Sequence, residues 1–111
     1  MNKEIKSREV WIGLIEVRPL DGCVILGDAK GAFVHVVMWA SSIEDYSHKS
    51  ATTAAEMKMF VVEIAEPEPV SVRRNREGDF NEEIENIISR SEDYPDDVVF
   101  GTFHLYEKDD G

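Results

Sequence analysis

Cys23, His35 and His104 are the residues best suited to chemistry, because a histidine beside a cysteine can take the thiol proton and leave a nucleophilic thiolate. No third, orienting group accompanies them, and a lone cysteine packs readily as a small hydrophobe. With Glu16 added, the histidines approach a metal-ligand set, but no His-x-x-x-His or similar short spacing is present. His48 reads as ordinary helix surface. The stretch Gly22-Cys23-Val24-Ile25-Leu26-Gly27 carries the two glycines of a phosphate loop, yet Asp28-Ala29 stands where Lys and Ser or Thr would hold phosphate and magnesium. Two turns explain both glycines. Glu92, Asp93, Asp96 and Asp97 offer oxygen ligands without the glycine turn and regular ligand series of a calcium loop. Arg73, Arg74 and Arg76 could clamp an anion; in so acidic a chain they are expected to neutralise its own carboxylates instead. No catalytic residue, cofactor site or metal centre is assigned.

Charge carries more information than any motif. Of 111 residues, 23 are acidic and 12 basic, for a net charge of −11, and residues 77–111 hold twelve of the acids but only two of the bases. Such a field repels nucleic-acid phosphates, whose binding rests on clustered Lys and Arg, so direct nucleic-acid binding is not expected. It attracts a basic protein and speeds the encounter. The longest uncharged run, Gly31 to Ile43, is 13 residues and falls short of a membrane span. The polar start and the single cysteine fit a cytoplasmic protein without a secretion signal.

Hydrophobic residues at 42% and the modest length suit one domain over residues 1–111, with frayed ends at about 1–7 and 107–111. Val10 to Val17 is apolar on both alternating faces, as in a central strand, and Arg18-Pro19 stops it. A short strand is predicted over Cys23 to Leu26, then a long one over Ala32 to Ala40. Ser42 followed by Glu44 and Asp45 opens a helix with Ile43, Tyr46, Ser50, Ala54 and Met57 on one face. Met59 to Ala65 reads as a strand, Val70 to Val72 as an edge, and Arg73 to Gly78 as a flexible loop. Asp79 is placed to cap a second helix bearing Phe80, Ile84, Ile87 and Ile88, and Val98 to Tyr106 forms the last strand. The fold expected is α+β, a mixed and mainly antiparallel sheet of four to six strands with two helices, in the order β-β-β-α-β-α-β. Two helices cover little more than one face of such a sheet, so either the sheet curls or a partner covers the remainder.

In size, acidity and the acidic helix-plus-loop from Asp79 to Asp97, the chain resembles the small acidic immunity proteins with which bacteria block their own basic toxins. That resemblance implies a non-enzymatic protein-binding domain that inhibits a cationic toxin or nuclease by presenting carboxylates where phosphates would sit. Glu82, Glu83 and Glu85 would form the helix face, with Glu92, Asp93, Asp96 and Asp97 extending it and Tyr94 as the aromatic anchor. Two other readings stand beside it. One is a small-molecule binding domain or enzyme with a pocket near His35, His104 and Cys23. The other is a self-association module, a homodimer formed through an uncovered sheet face or the Val70 to Val72 edge.

Overall fold

The computed structural model describes residues 7–107. In chain order it contains β1 (Glu9–Pro19), β2 (Gly31–Ala40), α1 (Ile43–Glu56), β3 (Met59–Pro69), α2 (Val70–Glu77), α3 (Glu82–Asp93), β4 (Val99–Phe100) and β5 (His104–Tyr106). The class is α+β with a mainly antiparallel sheet. Among the described residues there are five strands and three helices, one helix more than predicted and in a different element order. Most of the residues expected to fray lie outside the described range.

Sheet order is β3-β1-β2-β4, with β5 also pairing with β2. β1 and β2 run antiparallel in unbroken register from Glu9 opposite Ala40 to Val17 opposite Ala32. Alternation then sends Ile15, Val17, Val34, Val36 and Met38 to one face, where they bury against Tyr46 and Ala54 of α1. Ile12 and Val37 point the other way, into a second cluster with Val70 of α2, Ile84, Ile87 and Ile88 of α3, and Val99. Strands apolar on both sides thus find helices on both sides.

Each helix start has a local cause. Ser42 Oγ accepts the Asp45 N–H at 3.0 Å, and the Asp45 carboxylate accepts the Ser41 N–H at 3.0 Å, which satisfies free donors at the start of α1. For α3 the cap is Asn81, whose side-chain oxygen accepts the Ile84 N–H at 2.9 Å; Asp79, the predicted cap, lies outside the helix and is exposed.

Four more expectations are corrected. Cys23 to Leu26 forms turns, not a strand, with Cys23 and Gly27 donating to Leu20 and Val24 carbonyls. Val70 to Val72 and the adjoining arginine segment make one helix, α2, rather than an edge and a loop. β3 continues through Pro69 instead of stopping near Glu66. The last strand divides into β4 and β5, because residues 101–103 stand opposite only Val34 and His35 of β2, and although the Gly101 N–H still donates to the His35 carbonyl at 2.8 Å, regular pairing resumes only at His104.

The α2 arginines are held by carboxylates. Arg76 reaches both Glu68 oxygens at 3.0 and 2.7 Å, Arg73 also pairs with Glu68, and Arg74 grips Glu85 at 2.6 and 2.9 Å. Hydrogen bonds from Arg76, joined by Arg73, pull the Glu68 carboxyl from its ordinary 4.5 to about 2. A carboxyl depressed on folding stabilises above its unfolded value and loses that contribution as it protonates. Stability is therefore expected to fall between about pH 4.5 and about pH 2. Glu68→Gln should reduce that slope in urea midpoints measured against pH. An unchanged slope would contradict the arginine clamp.

Candidate functional site

The eight carboxylate and tyrosine positions singled out by sequence separate into two groups. Glu85 is committed to α2: it takes both Arg74 nitrogens and accepts the Phe80 N–H at 3.1 Å, and these bonds, Arg74 first, lower its pKa. Glu83 turns to a different neighbour and accepts the Thr102 N–H at 2.9 Å, which pins the β4–β5 connection; hydrogen bonds from the Thr102 side chain and then from its N–H lower the Glu83 pKa. Both glutamates therefore brace α3, from different sides. Glu82 is exposed in the first turn, where a negative charge suits the helix dipole.

The second group gathers at the opposite end of α3. Glu92 and Asp93 occupy its last turn, where the dipole disfavours negative charge and Arg90 is the basic residue present. Tyr94 follows, 58% exposed, and the Asp97 N–H closes a turn onto its carbonyl at 3.0 Å. Asp96 projects almost fully into solvent, with Arg8 of the β1 approach 3.9 Å away. Glu92 and Asp93, held against the dipole, lower local stability.

Behind this loop lies an open groove of about 640 Å³, bordered by Glu56 of α1, Arg90, Tyr94, Asp96 and Asp97, with Val99 and Phe100 among its apolar lining. It adjoins a shallower hollow of about 290 Å³ along His48, Lys49 and Thr52, with Thr53, Asp96 and Val98 common to both. Lys49 is engaged elsewhere, by Asp45 at 3.3 Å and the Trp39 carbonyl at 3.2 Å. Three carboxylates thus oppose one arginine around the groove, beside an exposed aromatic ring. Glu56 and Phe100 were not marked by sequence, since their proximity to the loop depends on how α1 and β4 pack. A chain-level signal existed only for the loop.

His35 and His104 project from the same face of the sheet, near Glu83, but Cys23 packs against the α1-side core on the opposite face. The three do not converge. Burial, followed by the Arg73 charge, lowers the His35 pKa and so favours the neutral imidazole. A separate cleft of about 220 Å³ opens where α2 and α3 leave the sheet uncovered, lined by Leu14, Glu16, Phe33, Glu63 and Ala65, and it includes none of the three. Among the described residues no group of three or more His, Cys, Asp or Glu side chains is placed to hold a metal ion. None of their helices is long and apolar enough to cross a membrane.

The architecture defines a class, an antiparallel α+β sheet clad by helices on both faces, with an acidic groove at one end. Comparison with protein-family models, curated proteins and solved structures returned no match.

Proposed function

We propose that the chain is a non-enzymatic protein-binding domain that docks a basic partner on the groove between α1 and the Glu92–Asp97 loop. The observation that carries this reading is one groove combining three carboxylates, Glu56, Asp96 and Asp97, with the exposed Tyr94 ring. Charges at its rim steer a cationic protein and set the encounter rate, while an aromatic side chain in a partly apolar depression supplies the anchor. An arginine or lysine of the partner seats among the carboxylates with its stem along Val99 and Phe100. A toxin inhibitor of the immunity type is the particular form of this activity that the charge favours. Its target would be a cationic toxin or nuclease.

The test uses a nona-arginine peptide as probe at low ionic strength. Asp96→Lys with Asp97→Lys is expected to slow association about tenfold or more. The charge-matched pair Asp79→Lys with Glu82→Lys, away from the groove, should have a much smaller effect. Equal losses from both pairs would show that net charge alone attracts the peptide and would overturn the site.

A further inference from the structure

At the far end of β1 the surface changes character. Leu20, Val24, Ile25 and Phe60 are all exposed there, Val24 by 87%. Their grouping has a structural cause: the loop after β1 folds into successive turns, with Gly22 and Gly27 at φ of +89° and +56°, and the Leu20 N–H donates to the Lys58 carbonyl at 2.8 Å. That bond sets the loop beside the α1–β3 turn and the start of β3, where Phe60 pairs with Arg18. Around the apolar tip stand Asp21, Asp28, Lys30 and Lys58, all exposed, and no ion pair joins them to one another among the described residues. Both signs of charge are therefore present at this end, where Glu107 also follows the Tyr106 carbonyl that takes the Lys30 N–H.

We infer that this end is a dimer interface that receives a second copy of the chain. Two-fold association requires a patch complementary to itself, and an apolar centre rimmed by both aspartates and lysines meets that requirement, since each copy's lysines can face the other's aspartates. A partner of one charge sign would gain nothing from the mixed rim. Electrostatic self-repulsion selects the same end. Arg8 and Asp96 set the acidic loop beside the start of β1, and the eleven residues of that strand carry the chain roughly 33 Å to the apolar tip. That separation is several times the ~10 Å over which surface charges act in ordinary salt. End-to-end dimers therefore keep both acidic grooves apart and open.

The sheet edge is a poorer candidate. β3 borders the sheet, but two register shifts against β1 and the prolines Pro67 and Pro69 interrupt the ladder a second copy would need. The Val70 to Val72 edge expected from sequence is helical and presents no ladder at all.

Light scattering across a concentration series tests the inference. The wild-type chain is expected to double its mass as concentration rises, and Val24→Asp with Ile25→Asp should remain at the single-chain mass with an unchanged circular dichroism spectrum. A charge exchange probes the rim: Lys30→Asp/Lys58→Asp and Asp21→Lys/Asp28→Lys should each be monomeric alone, and an equimolar mixture should regain the doubled mass. A wild-type chain monomeric at every concentration, a dimer that survives the Val24 and Ile25 changes, or a mixture that stays monomeric would overturn it.

Discussion

Tyr46→Ala is expected to lower the unfolding free energy by about 3–5 kcal/mol, in line with truncation of other buried aromatics. Tyr46 is fully buried between α1 and the sheet, its hydroxyl donates to the Val36 carbonyl at 2.7 Å, and its ring lies within 6.3 Å of Trp11 between centroids. Alanine removes both the ring and the hydroxyl's hydrogen bond to that carbonyl. Burial raises the hydroxyl pKa well above the ordinary tyrosine value, so the donor proton is retained across the range in which the protein folds. Gly13 completes the arrangement: a Cβ there would stand 2.8 Å from the Tyr46 oxygen, so the strand accepts the phenol only because this position is bare. For a domain whose total stability is about 5–15 kcal/mol, the loss is a large fraction. Urea denaturation measures it, and Tyr46→Phe separates the two parts, with an expected cost of about 1–2 kcal/mol for the hydroxyl. A Tyr46→Ala chain as stable as wild type would contradict this packing.

Gly31→Ala should cost about 1–3 kcal/mol through overpacking, with its effect centred on β5. A Cβ at position 31 would run into the Tyr106 ring and lie 2.7 Å from the Val17 carbonyl oxygen, a backbone atom that cannot swing aside. The bare backbone is what lets Tyr106 lie over β2, pack its tilted ring 5.5 Å from that of Phe33 between centroids and reach the Glu16 carboxylate with its hydroxyl. Hydrogen exchange at Lys30, whose N–H donates to the Tyr106 carbonyl at 2.8 Å, reports directly on that docking and should quicken more than exchange within β1. Gly22→Ala is the control. Nothing lies within 4 Å of its absent Cβ, so only its positive φ is strained, at about 1 kcal/mol and without effect on Lys30 exchange. Identical exchange at Lys30 in both variants would reject the close approach.

These two sites illustrate how far local pattern reaches. Alternating apolar residues in Val10 to Val17 and Ala32 to Ala40 marked β1 and β2, because a period of two on a pleated backbone leaves no other way to bury both faces. The Ser42 hydroxyl and the Ile84, Ile87, Ile88 spacing marked α1 and the body of α3 for similarly local reasons. α2 lacked such a signal. Val70 is its one buried residue, and its arginines find their acids on β3 and α3, so its helicity depends on partners that the local sequence does not contain. The break between β4 and β5 belongs to the same category, since Thr102 and Phe103 are of types that suit a strand and it is the distant Glu83 carboxylate that takes the Thr102 N–H.

By itself the amino-acid order determined the net charge, its concentration toward the C-terminus, the α+β class and the central strand pair, all of which depend on composition or on neighbours a few residues apart. Tertiary structure alone decided which carboxylates are spent on Arg74 and Thr102 and which border a groove. It also put Cys23 across the sheet from both histidines and collected Leu20, Val24, Ile25 and Phe60 at one tip. The physical reason is common to each case: a side chain's charge is a property of its type, whereas its partner and its exposure depend on chain segments far away in sequence.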